Sequence, residues 1–377
     1  MKVSCLQENL ARGLGIVGRA VASRSTLPVL SNILVATENN LLRLSATNLE
    51  LGITCWIGAK VEEEGETTIP AKTFIDLVNT LPPSQVDMTL AVRTQTLNVT
   101  CGAFNNDIKC IDAQEFPILP SAETNNAIEL NADDLRDMIS QVVFAAATDD
   151  ARPILTGVEV KIDGEQITFA AADGFRLAVR HSSLPSNVAN PVTAIIPART
   201  LAELARIGGD QSEPVIMTLP PHRGQVIFRL KNVEVVSQLI EGMFPDYEQL
   251  VPRGHKTRAV ISTADFRTAC RAADIFARES AHTTRLKFMP GNDVSPGTIE
   301  VHATSAETGS NETIVDANVE GEPIEIAFNV RYLVDVLNVV NTDNVVLETN
   351  GSASPGVIRA AGRDDFLSVI MPMHIGQ

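Results

Sequence analysis

Thr68-Ile69-Pro70-Ala71-Lys72-Thr73-Phe74 carries a strand-like run into a helix with apolar periodicity, and the chain repeats that phrase twice. Ala194-Ile195-Ile196-Pro197-Ala198-Arg199-Thr200-Leu201 follows about 127 residues later, and a looser copy, Ile324-Glu325-Ile326-Ala327-Phe328-Asn329-Val330-Arg331-Tyr332-Leu333, about 132 residues after that. Strand-like runs come next in each case. The first two copies then reach Phe116-Pro117 and Phe244-Pro245, and the third has Met371-Pro372 at the matching place. Three modules of about 125 residues each fit ordinary domain size, so the sequence predicts domains over 1–121, 122–253 and 254–377. Pro120–Asn126 and Pro252–Thr257, polar or bearing Pro and Gly, are the expected linkers. Repetition of this kind points to a molecule that works by symmetry rather than around one catalytic cleft.

The first helix of each module is expected at 7–22, about 132–147 and about 264–278. Leu10, Leu14, Val17 and Val21 hold one face of the first; Leu135, Ile139, Val142, Val143 and Ala146 hold one face of the second. Asn131 and Ser262 stand where helix-start residues belong. Asn39-Asn40 and Asp163-Gly164 each separate two alternating runs and read as hairpin turns. The fold class follows: α+β, three tandem similar domains, each with two helices laid on antiparallel sheet.

A hydrophobic fraction of 44% is ample for three cores, and no apolar run approaches the roughly 18 residues of a membrane span. Met1-Lys2-Val3-Ser4-Cys5-Leu6 alternates as a strand does, with no basic region feeding an apolar stretch, so a cytoplasmic protein is expected. Cys5, Cys55, Cys101, Cys110 and Cys270 are odd in number, scattered and never in CxxC spacing, which reads as small core residues rather than disulfides or a zinc site. A net charge of −16 opposes simple phosphate binding. The acid excess lies outside the six helices read here, which together are close to neutral.

One enzyme signature is present. Gly13-Leu14-Gly15-Ile16-Val17-Gly18 fits G-x-G-x-x-G, with Glu38 about 20 residues beyond, the pattern of a nucleotide-dependent oxidoreductase. Its context opposes that reading: Gln7–Arg12 already has helical periodicity where a buried strand should end, and the next strand turns back at Asn39-Asn40 where a parallel crossover is required. Close packing against a neighbour explains glycines in such a helix. His181, His222, His255, His282, His302 and His374 show no metal-ligand spacing, and Asp149-Asp150 and Asp364-Asp365 read as solvated loop carboxylates. No catalytic residue, cofactor or metal is expected.

Two stretches stand apart. Phe366-Leu367-Ser368-Val369-Ile370-Met371-Pro372-Met373-His374-Ile375 keeps the C-terminus apolar, with Met371 and Met373 around Pro372 as an adaptable lip. In Ala172-Asp173-Gly174-Phe175-Arg176-Leu177, an Asp-Gly turn offers Arg176 and Leu177 a surface position, although spacing alone favours core packing for both this stretch and the C-terminal one.

These residues, in order and spacing over essentially the whole chain, resemble the bacterial DNA polymerase III beta subunits, the sliding clamps. The resemblance rests on Thr26-Leu27-Pro28-Val29-Leu30-Ser31-Asn32-Ile33-Leu34, Ile69-Pro70-Ala71, Phe116-Pro117, Asp173-Gly174-Phe175-Arg176-Leu177, Phe244-Pro245-Asp246-Tyr247 and Met371-Pro372-Met373. It implies a chain that forms half of a closed ring, two chains joining head to tail with helices inside and sheets outside. The implied function is a non-enzymatic processivity factor that encircles double-stranded DNA without sequence preference.

Carried over by position, Arg24 is the implied DNA contact, with Arg19, Lys72 and Arg199 as weaker candidates on inward helices. Leu155, Arg176, Leu177, Pro245, Leu250, Val369, Ile370, Met371, Pro372 and Met373 would wall a groove for short peptides of the replicative polymerase, clamp loader and repair proteins. Ile108 would meet Ile275 and Phe276 of the other chain at the ring joint. The sequence departs from the family pattern at Phe175, where His is frequent, at Ile154, where an aromatic is often found, and at His374-Ile375, where Arg-Leu is common. A specialised second clamp would share all of these features.

Overall fold

The computed structural model describes residues 1–377 except 23, 122–126, 150, 210, 221–223, 293–294 and 375–377. Most of the first expected linker, Asp150, His222, Ile375 and the Gly376-Gln377 tail therefore lie outside the described residues.

The first module runs β1 (Lys2–Leu6), α1 (Gln7–Val17), β2 (Asn32–Glu38), β3 (Leu41–Thr47), β4 (Leu51–Gly58), β5 (Lys60–Glu63), β6 (Glu66–Pro70), α2 (Ala71–Thr80), β7 (Gln85–Ala91), β8 (Thr96–Cys101) and β9 (Phe104–Lys109). The second has β10 (Ile128–Leu130), α3 (Ala132–Val142), β11 (Gly157–Ala172), β12 (Arg176–Pro197), α4 (Ala198–Ile207), β13 (Val215–Thr218), β14 (Gln225–Arg229) and β15 (Val233–Gln238). In the third come β16 (Thr257–Ser262), α5 (Thr263–Ala277), β17 (Thr283–Met289), β18 (Thr298–Ser305), β19 (Gly309–Gly321), β20 (Ile324–Asn329), α6 (Val330–Val339), β21 (Asn344–Thr349), β22 (Gly356–Ala360) and β23 (Phe366–Ile370). The thrice-repeated phrase is thus the entry to the second helix of each module, at Pro70/Ala71, Pro197/Ala198 and Asn329/Val330.

Local chemistry explains the helix ends. Ser262 Oγ accepts from the Asp265 amide at 3.4 Å, Asn131 Oδ1 from Asp133 at 3.0 Å and Asn329 Oδ1 from Arg331 at 3.0 Å, each satisfying an amide that has no partner within the helix. α1 and α3 end well before their periodicity predicts, whereas α5 covers its expected span to within a residue at each end. α1, α3 and α5 each tighten into a 3₁₀ turn, at Gly18–Ala20, Val143–Ala145 and Arg278–Ser280, because apolar spacing does not distinguish i+4 from i+3 bonding in a last turn. Asn39 and Asn40, at φ 49° and 60°, make the two left-handed steps of a hairpin turn between β2 and β3. Asp163-Gly164 is not the hairpin turn expected: β11 runs through it, interrupted by Gly164 in the left-handed region at φ 62° and by a register shift against β12 on both sides of it.

Two compact units follow from the pairing, which is antiparallel in every sheet. Residues 1–133 and 203–239 hold a five-stranded sheet, β5-β1-β7-β8-β9, and an eight-stranded sheet, β10-β13-β14-β15-β4-β3-β2-β6. Residues 134–202 and 240–377 hold a ten-stranded sheet, β11-β12-β23-β22-β21-β16-β19-β18-β17-β20. The middle module is divided between them because one of its sheets continues the first module's at β15·β4 and the other continues the third's at β12·β23.

The glycine signature lies in α1 and at the start of the 3₁₀ turn that follows it. A Cβ on Gly13 would lie 2.8 Å from Leu44 Cδ1, and one on Gly18 would lie 3.0 Å from Ile75 Cδ1, so these positions allow close packing of helix on sheet and helix on helix. β2 pairs antiparallel with β3 and β6, so the crossover that a dinucleotide fold needs is absent from this part of the chain. Among the described residues no helix is long and apolar enough to cross a membrane.

All five cysteines are free thiols; four are buried and Cys110 is half-buried. Burial pushes the Cys5 thiol up to about 12 and the Cys55 thiol up to about 11. At pH 8 a colorimetric thiol reagent is expected to modify at most Cys110 in the native chain and all five in denaturant; rapid native modification of two or more would contradict this packing.

Candidate partner groove, basic residues and open edges

In the second unit an apolar cluster forms on one side of the β12·β23 seam. Leu155, Ala172, Leu177, Val179, Ile195, Phe244, Tyr247, Val357 and Val369 are buried together, with Ile154, Ile240, Val251 and Leu367 packed against them. Leu177 lies opposite Val369 across the seam, and their side chains share a face. Around this floor stand exposed apolar groups: Phe175 at 58%, Met243 at 88%, Leu250 at 53% and Met371 at 45%. Pro245 is exposed as well.

The turn that shapes this end of the seam is built from its own residues. Asp173 Oδ1 accepts from the Phe175 and Arg176 amides at 2.8 and 3.0 Å, Gly174 takes φ 92°, and Arg152 Nη2 donates to the Asp173 carbonyl at 2.7 Å. Phe175 O then accepts from the Met371 amide at 2.9 Å, which brings the exposed Phe175 and the Met371 lip side by side.

Arg176 and Ile370 do not join the apolar floor. Side chains alternate across the pleat, so this pair faces away from Leu177 and Val369. The Arg176 guanidinium instead stacks 4.4 Å from the Tyr332 ring centre and 5.5 Å from that of Phe144, is bonded to Asp173 Oδ2 at 3.0 Å and is paired with Asp335. Arg176 thereby fastens the turn to α6. It is not held out at a surface, and neither is Leu177, at 2% exposure. Met373 donates its amide to Ala327 O at 2.8 Å, and its sulfur accepts from Thr283 Oγ1 at 3.6 Å, so it anchors the C-terminal segment on β20 and β17 while Met371 carries the lip.

Phe244 and Tyr247 supply most of the groove's buried ring surface, yet spacing alone does not single them out; the Phe-Pro step was the available signal. The two rings meet edge to face with centres 6.3 Å apart. Burial, together with Glu159, Glu248 and Asp246, pushes the Tyr247 phenol up to about 12. Asp365 also departs from the solvated loop carboxylate expected of Asp364-Asp365. It pairs with the buried Arg180 at 2.7 Å and with Arg363 Nε at 3.1 Å, tying β12 to the segment that leads into β23.

Of the four basic positions, Arg24, Lys72 and Arg199 are exposed and make no ion pair among the described residues. Arg24 lies after the 3₁₀ turn that ends the first helix, not on a helix. Arg19 is committed elsewhere, to Glu203 at 2.8 Å, whose other oxygen takes Arg206 at 2.7 Å. Ile108 is buried on β9, Ile275 is 56% exposed on α5 and Phe276 is half-buried. No group of three or more metal-binding side chains occurs among the described residues.

Three α+β domains joined edge to edge into shared sheets define a clamp-type protein. The chain matches DNA polymerase III beta subunit, N-terminal domain, over residues 1–120, its central domain over 129–246 and its C-terminal domain over 248–374. It belongs to the DNA polymerase III beta subunit family, the bacterial sliding clamps. The Synechococcus elongatus beta sliding clamp is 32% identical over 378 residues, with both chains covered in full. The Bacillus subtilis sliding clamp structure superposes with a TM-score of 0.94 at 28% identity, and that of the Pseudomonas aeruginosa clamp bound to griselimycin with 0.91 at 30%, each covering both chains completely. Neither the oxidoreductase reading nor the specialised-clamp reading gains support from these relatives.

Replacing Asp365 with Asn leaves Arg180 buried beside a neutral partner and is expected to cost about 3 kcal/mol, read as a lower urea midpoint at unchanged slope. Unchanged stability would show that the seam does not depend on this pair.

Proposed function

We propose that this chain is a non-catalytic cytoplasmic clamp. Two copies close into a ring that encircles double-stranded DNA without sequence preference and tethers the replicative polymerase, the clamp loader and repair proteins through the groove. The observation that carries the reading is the repeated seam. β15 pairs with β4 and β23 pairs with β12, which uses two of three possible inter-module joints within the chain. The strands left over are the counterparts: β9 pairs only with β8, and Gly309–Asp316 of β19 only with β18. A second copy presenting the opposite edge completes both joints at once and pairs both of these leftover inter-module edges.

Exposure along the leftover edge supports this. Phe104 on β9 is 47% exposed, whereas the residues at its place in the closed seams, Val233 and Phe366, are 7% and 1% exposed. Burying a phenylalanine contributes about 2 kcal/mol, twice per ring. Ile108 on the same strand, with Ile275 and Phe276 from the third module, fits this joint. The ring needs no tight phosphate grip because enclosure retains the DNA, and the exposed Arg24, Lys72 and Arg199 supply weak, sliding contacts while the acidic remainder discourages other binding. We assign the domains to 1–121, 122–253 and 254–377, in keeping with the repeat.

The groove, with its buried floor and Phe175, Met243, Leu250 and Met371 around it, suits short peptides ending in apolar side chains. Met371→Ala is expected to leave thermal stability unchanged and to weaken a clamp-binding peptide of the polymerase about tenfold by fluorescence anisotropy; unaltered affinity would move the groove elsewhere. After loading onto nicked circular DNA, the protein should stay bound through a high-salt wash and be lost when the circle is cut. Equal retention on linear DNA would overturn the ring. Phe104→Arg should shift sedimentation towards the monomer.

A further inference from the structure

The two closed seams allow the register of the open one to be worked out. Val3, Ile128 and Ala259 each stand four residues before the first helix of their module. Following the pairing across each sheet from these residues gives Met88, Val99 and Asn106 in the first module, Met217, Phe228 and Val235 in the second, and Leu347, Ile358 and Ser368 in the third. Val235 lies opposite Ile53, and Ser368 opposite Ala178. Ile53 and Ala178 are themselves paired with the buried alanines Ala46 and Ala171; in the third module the corresponding buried alanine, Ala303, is paired with Asn311.

We propose that Asn106 of one copy and Asn311 of a second lie directly opposite each other in the seam, carboxamide to carboxamide, and set its register. The inference rests on the homodimer reading. Its second support is that Asn106 Nδ2 is buried with no hydrogen-bond acceptor among the described residues, although it stands in a row with the buried Val3, Met88 and Val99. Among the described residues Asn311 Oδ1 accepts only a long contact, 3.5 Å, from Thr313 Oγ1. A buried amide donor without an acceptor costs stability, and the seam in this register supplies one.

The choice of residue also fits what the joint must do. The permanent seams carry Ile53 against Val235 and Ala178 against Ser368, all buried. A joint that has to exist in an open form exposes its edge to water, and an apolar row there would template aggregation. Paired asparagines avoid that, and they penalise slippage, because a two-residue shift breaks the carboxamide pair and sets Asn106 against Gly309, which has no side-chain acceptor, or against the shorter Thr313 hydroxyl.

Cysteine cross-linking tests this in a Cys110→Ser background. Under mild oxidation, Asn106→Cys with Asn311→Cys should give a covalent dimer, because directly opposed residues fall within disulfide reach, whereas Asn106→Cys with Thr313→Cys or with Gly309→Cys should not. Asn106→Ala should weaken the dimer about tenfold in sedimentation, with little further loss on adding Asn311→Ala. Cross-linking by a shifted pair, or by none of the three in a chain that still sediments as a dimer, overturns the register and leaves the ring standing. A parent chain that is monomeric at micromolar concentration removes the homodimer reading and this inference with it.

Discussion

Backbone hydrogen bonding between edge strands of neighbouring modules is the constraint on which everything else depends. An edge strand must be paired, covered or made polar, and this chain pairs two of its inter-module edges internally, β15 on β4 and β23 on β12. The same solution applied twice makes sheets of eight and ten strands. It also explains why contact separates the molecule into two units that both draw on the middle module: each of that module's sheets belongs to a larger one.

The candidate groove is a consequence of the second seam. Where β12 begins and β23 ends, the sheet surface carries Leu177 and Val369, and the Asp173-Gly174 turn and the Met371 lip flank it. Arg176 and Asp365 then fasten the two sides, the first to α6 and the second to Arg180. Arg176, which the resemblance places in a groove wall, and Asp365, which reads as a solvated carboxylate, are both used here to hold backbone elements in place. The exposed surface they leave at the groove is mainly apolar, consistent with recognition by shape and burial more than by ion pairing.

Inherited pattern and local environment part company at several positions. Gly13, Gly15 and Gly18 match a phosphate-binding fingerprint letter for letter, yet Gly13 and Gly18 serve close packing of α1. Arg19 and Lys72 look equivalent as basic helix-associated residues, but Arg19 is neutralised by Glu203 and Lys72 is free of ion pairs among the described residues. Leu177 and Ile370 are both apolar members of the seam strands, and the pleat sends them to opposite faces. Each difference arises because a side chain's role depends on what a distant segment places beside it, which linear spacing does not encode.

What the amino-acid order determined by itself was the threefold plan: the helix entries at Pro70, Pro197 and Asn329, the α+β class, the Asn39-Asn40 turn and the burial of four of the five cysteines. These are local or periodic properties, set by propensity and by the alternation of apolar residues within a few positions. Tertiary structure alone decided which strands join across modules, which face of the β12·β23 seam becomes a groove floor, where Arg176 and Arg19 spend their charges, and which two edges are left over. Those outcomes depend on register between segments more than 190 residues apart, such as Leu177 and the Ser368 hydroxyl that donates to its carbonyl, and a one-residue slip there would exchange every inward side chain for an outward one.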